Sequence, residues 1–70
     1  MKYSLEGIDG NAFCIMAYVV DAMCECKFSK SDCANYLKAA TSGDYNDLLH
    51  QSLIMIDKCN EINYFITRNI

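Results

Sequence analysis

From Ala12 to Val20 every position is apolar, and up to Cys26 only Asp21 and Glu25 break the pattern. The stretch Asn11 to Cys26 holds no glycine or proline, so a single helix of about four turns fits it. Phe13, Met16, Ala17, Val20 and Cys24 share one face, yet Ile15, Val19, Ala22 and Cys26 occupy the opposite one. A helix apolar all round is normally buried all round, and two further elements of a short chain can hardly cover it. The spacing therefore predicts an uncovered side that meets another copy or another protein. Ahead of this helix, Asp9 or Asn11 supplies the N-cap oxygen, and Gly10 is expected to permit the turn.

The next boundary is "KFSKSD", where Ser29 and Asp32 have capping-box spacing, with Asp in place of the usual Glu or Gln. A second helix runs through Cys33, Tyr36, Leu37 and Ala40 and stops at "TSGD", with Gly43 expected in the left-handed cap conformation. Asp44 then caps a third helix from Tyr45. It places Leu48, Leu49, Leu53 and Ile56 on one face, with Asp47, His50, Gln51, Asp57 and Lys58 largely outside, and ends near Cys59 or Asn60. The tail "EINYFITRNI" alternates like a strand, with Ile62, Tyr64 and Ile66 in phase. It reads either as a short ribbon paired with "YSL" or as a continuation of the third helix. The fold class is mainly α: a compact three-helix domain over residues 1–70, leaving open a short two-stranded β ribbon from the N- and C-terminal tails.

Size sharpens the need for a partner. A chain of 70 residues buries only about 60% of the surface that its unfolded form exposes, and small domains usually compensate with disulfides, a metal or association. No proline and three glycines leave no linker. The apolar run is shorter than the roughly 18 to 20 residues of a membrane span, and Glu6 and Asp9 before it do not fit a secretory signal. A cytoplasmic protein without membrane contact is expected. Five cysteines, an odd number, then read as reduced thiols that pack as small hydrophobes.

Candidate chemistry is thin. Cys24, Cys26, Cys33, Cys59 and His50 are soft ligands, but Cys24 and Cys26 on one helix point about 200° apart, so no metal and no cofactor are expected. Cys14 lies in a first helical turn without a base nearby, and Asp47 with His50 makes at most a solvated contact. The expectation is that the chain is not an enzyme. The second and third helices have the outline of a helix-turn-helix, yet the reading helix would begin "DYNDLLHQ" and the net charge is −3, which excludes nucleic acid as a partner. Gly10, Asn11 and Ala12 could aim amides at a phosphate, with Tyr45 as a stacking face for a nucleotide, although Asp9 opposes an anion. The leading surface for protein contact is Phe13, Met16, Tyr18, Val19, Val20, Met23 and Tyr45, used first for a homo-oligomer, a dimer foremost.

Two motifs, "LEGIDGNAF" at 5–13 and "ATSGDYNDLL" at 40–49, resemble a family of small uncharacterised proteins of phages and other mobile elements. The resemblance covers roughly positions 5–50. That family commonly has a basic, Arg-containing end to its first helix and a tryptophan before the second cap. Here "DAMCECKFSK" departs from the pattern, with Phe28 in the aromatic place. The resemblance implies a setting, in which small proteins act by stoichiometric binding to a host or phage protein, as an inhibitor of a host process for example.

Overall fold

Each helix begins where a side-chain oxygen takes up an amide that the helix itself leaves unpaired. The computed structural model describes residues 2–68, with α1 (Ala12–Glu25), α2 (Lys30–Thr41) and α3 (Tyr45–Arg68). Asn11 is the cap of α1, its Oδ1 accepting from the Phe13 amide at 2.8 Å, while Asp9 accepts from the Asn11 amide at 2.9 Å. Of the two residues expected as the cap, Asn11 is the one, and Asp9 holds the amide of Asn11 just ahead of the helix. At α2 the Ser29 hydroxyl and the Asp32 carboxylate form the reciprocal box. Asp44 and Asp47 repeat it at α3.

Two glycine expectations need correction. The left-handed turn before α1 is at Gly7, φ 80°, and not at Gly10. Gly43 does not adopt the left-handed form either; its lack of a side chain makes room for the Asp47 carboxylate, which a Cβ there would strike. The left-handed position at a helix end belongs instead to Lys27, φ 68°. Its amide bonds the Cys24 carbonyl and the Phe28 amide bonds the Met23 carbonyl, a complete Schellman closure in an unusual residue.

Helices α1 and α3 run in the same direction, since Tyr45 at the start of α3 reaches Gly10 and Cys26 after α1 reaches Cys59. Helix α2 returns between them. Ile15, Val19, Ala22, Met23 and Cys26 face inward with Tyr36, Ala40, Leu48, Ile56 and Cys59. Of the two faces read for α1, the second is thus the buried one, and Phe13, Ala17 and Cys24 are exposed. Leu53, placed on the inner face from its spacing, is also exposed.

A third cover for α1 comes from the N-terminal segment. The Asn60 carboxamide accepts from the Tyr3 amide at 2.8 Å and donates to the Tyr3 carbonyl at 2.9 Å, and Tyr18 accepts from the Ser4 amide. Tyr3 is buried, and Leu5 and Ile8 pack half-buried on the core. This strap corrects the expectation that α1 has only two neighbours. It also corrects the ribbon: Tyr3 of "YSL" bonds α3 at Asn60, ahead of the tail, while residues 61–68 are helical, and no strand occurs among the described residues. Residues 69 and 70 of that tail lie outside the described residues.

One buried polar pair joins α2 to α3: the Tyr36 and Ser52 hydroxyls are 2.7 Å apart, with Ser52 wholly buried. Tyr36→Phe or Ser52→Ala alone leaves a buried hydroxyl without its partner and should cost about 1–2 kcal/mol. The double variant should cost less than the sum by about 1 kcal/mol, read from urea unfolding as a double-mutant cycle; strict additivity would show that the pair is not coupled. By the same measurement Lys27→Gly should stabilise the fold by about 0.5–1 kcal/mol, because it relieves the left-handed penalty.

Candidate functional site

At the end of the bundle where α1 and α3 start, the two sequence motifs meet. Tyr45 of "SGDY" donates its hydroxyl to the Gly10 carbonyl of "GIDGNAF" at 2.5 Å, a contact between residues 35 positions apart. Beside it a cleft of 310 Å³ opens between the start of α1, the end of α2 and the start of α3. Ala12, Met16, Ala40 and Leu48 make its apolar wall, and Thr41, Asp44 and Tyr45 its exposed rim. Such a volume is at the small end of ligand cavities and suits one apolar side chain.

The capping chemistry sets the electrostatics of this end. Asp9, Asp44 and Asp47 are all exposed here, each holding a backbone amide. Lys2, Lys27, Lys30 and Lys58 gather at the far end, around the α1–α2 corner and the strap, where Lys2 pairs with Glu25 at 3.8 Å. That is the one ion pair among the described residues. An anion at Gly10, Asn11 and Ala12 would therefore face uncompensated carboxylates, and the Asn11 oxygen is already committed to Phe13. The geometry brings Gly10, Ala12 and Tyr45 together but does not make a phosphate cradle of them.

The residues expected to form a contact surface divide. Val19 and Met23 are fully buried, so neither faces a partner; they sit on the α1 face that packs against α3. Met16, Tyr18 and Val20 are half-buried, Tyr45 is exposed, and Phe13 is 79% exposed. The residues that sequence reasoning passed over are at the other end. Phe65 and Ile66 on α3 are 57% and 51% exposed, next to Tyr64, whose ring meets that of Phe65 edge-on at 5.9 Å. Reading the tail as a strand hid them.

Cys26 and Cys59 pack in the core and Cys33 at its edge, whereas Cys14 and Cys24 are exposed, against the expectation that all five thiols pack. Cys26 lies 3.5 Å from the Cys59 carbonyl and 3.8 Å from the Tyr3 hydroxyl, whereas Cys24 is exposed on the other side of the helix end. Among the described residues no three His, Cys, Asp or Glu side chains converge as a metal site. Burial, reinforced by Cys26, pushes the Cys59 thiol up to about 12. Burial likewise raises Tyr3, Tyr36 and Cys33, the last with help from Cys24. No helix among the described residues is long and apolar enough to cross a membrane. Compared with known proteins, the chain matches no family model, no curated sequence and no solved structure.

The buried thiol has a consequence in alkali. An unfolded cysteine loses its proton near pH 8.5, whereas native Cys59 keeps it to about 12. Its contribution is complete below about pH 8.5 and is lost as pH rises toward 12, with a slope of about 1.4 kcal/mol per pH unit. Urea midpoints should fall steadily from pH 8.5 to pH 11, and Cys59→Ala should flatten that fall. An unchanged slope in the variant would assign it to other groups.

Proposed function

We propose that this chain is a non-enzymatic helical interaction module that self-associates and works by stoichiometric binding to another protein. One observation carries the reading: large apolar side chains stand in solvent where a helix outruns its cover. Helix α3 has 24 residues against 14 in α1 and 12 in α2, or about 36 Å against 21 and 18 Å at 1.5 Å per residue. Beyond Asn60 its inner stripe continues as Ile62 and Ile66, and only Ile62 is half-covered. An exposed apolar cluster of this kind marks an association surface.

Self-association was expected through α1. The burial pattern leaves Phe13 as the one exposed large apolar side chain of that helix and moves the weight of assembly to Phe65 and Ile66 on α3. A homodimer built on the α3 ends would extend each inner stripe onto its mate. A host or phage protein as the further target is what the motif resemblance implies, and inhibition by occlusion is the mechanism open to a surface without catalytic groups. A phosphate or nucleotide ligand is the weaker reading, since the acidic residues around Gly10 oppose it.

Sedimentation equilibrium or light scattering after size exclusion at micromolar concentrations tests the assembly. The chain should be dimeric, and Phe65→Ser with Ile66→Ser should make it monomeric with its helix content kept, because both side chains are exposed. Phe13→Ser, at the opposite end of the molecule, should leave the dimer intact. A monomeric parent protein at about 100 μM, a concentration at which interfaces of standard size are saturated, would remove self-association from the reading.

A further inference from the structure

We infer that the cleft between the start of α1 and the α2–α3 corner is the docking site for a basic amphipathic segment of a partner protein, which inserts one large apolar side chain. The inference rests on the interaction-module reading and gives its partner a chemistry. The cleft wall is apolar, formed by Ala12, Met16, Ala40 and Leu48, and its volume of 310 Å³ has room for a leucine or phenylalanine side chain. Charge selects what flanks that side chain. Asp44 is on the rim, Asp47 is its capping partner, and Asp9 is next to Gly10, which the rim residue Tyr45 touches. None of these carboxylates has an ion pair among the described residues. Lys38, on the last turn of α2, is the cation on the helices nearest this end.

A second copy of the chain fits poorly here, although Phe13 beside the cleft is exposed. Two such ends face to face would set one acidic rim against another, and juxtaposed like charges are costly. A segment carrying lysine or arginine around its apolar anchor meets the opposite situation. Its cations reach the three carboxylates, and its anchor leaves water for the Met16 and Leu48 wall. The cap amides stay satisfied throughout, because carboxylate oxygens that accept from an amide can accept from a cation as well.

The test uses the intact chain and two synthetic helical peptides, one of leucine, phenylalanine and lysine, the other identical but with glutamate for every lysine. Binding is followed by NMR shift mapping and fluorescence anisotropy at low salt. The lysine peptide should bind, shift the amides around Ala12, Thr41 and Tyr45, and weaken as salt rises; the glutamate peptide should not bind. Asp44→Asn with Asp47→Asn, which keeps capping oxygens, should weaken binding by about three- to tenfold. Ala12→Leu, or Thr41→Leu if the first variant misfolds, should fill the cleft and weaken binding about tenfold or more. Equal binding by both peptides, full binding by the filled variants, or shifts confined to Phe65 and Ile66 would overturn the assignment, as would no binding at all. A monomer that binds the lysine peptide loses self-association only, and a dimer that ignores it loses this site only.

Discussion

The attachment of the N-terminal strap by the Asn60 carboxamide decides how far this small chain can cover its most apolar helix. Helix α1 has its inward residues on an arc of about 100°, a little over a quarter of its circumference, from Ala22 through Ile15, Cys26 and Val19 to Met23. Two helices cover the middle of that arc but leave the flank of Tyr18 and Ala22. A segment without regular structure must find partners for its backbone polar groups before it can lie on an apolar surface. Asn60 supplies a donor and an acceptor to one residue, as a neighbouring strand would, and Tyr18 supplies an acceptor to the next. With those groups satisfied, Tyr3, Leu5 and Ile8 are free to bury their side chains.

The same attachment shows what could be read from the sequence and what could not. Caps were legible because their chemistry is local: Asn11, Ser29 and Asp44 sit two or three residues from the amides they accept. Faces were not. Periodicity divides α1 into two apolar sides but carries no sign of which one the fold buries, so it sets Val19 and Met23 on the same contact surface as Phe13, although only Phe13 of the three is exposed. In the tail, β-branched and aromatic residues suggested a strand, but α3 has no glycine, proline or cap signal after Cys59, and continuing a formed helix adds one hydrogen bond for each residue fixed. The contact of "YSL" with Asn60 left no trace in the sequence, because an asparagine on a helix makes no alternating pattern.

Site geometry was further from reach, since it depends on topology. Asp9, Asp44 and Asp47 are far apart in the chain and read individually as caps. Running α1 and α3 in the same direction brings both of their starts, and the three carboxylates there, to one end. The short corner between α1 and α2 carries Lys27 and Lys30 to the other. Sequence alone yields only the net charge of −3; the fold converts it into an acidic end and an end where lysines and acids balance.

That polarity bears on how one small module can hold two kinds of contact. Carboxylates at helix N-termini are favourable within the chain because they meet the positive ends of the helix dipoles. The fold therefore maintains an acidic rim whether or not a partner is present, and at no cost to stability. The exposed apolar end of α3 is different, since nothing in the local chemistry offsets its wetting. Because the two surfaces lie at opposite ends of a molecule 39 Å long, filling one leaves the other open. Apolar burial can then govern assembly at the α3 end, where salt has little effect, while charge governs capture at the cleft, where salt screens it.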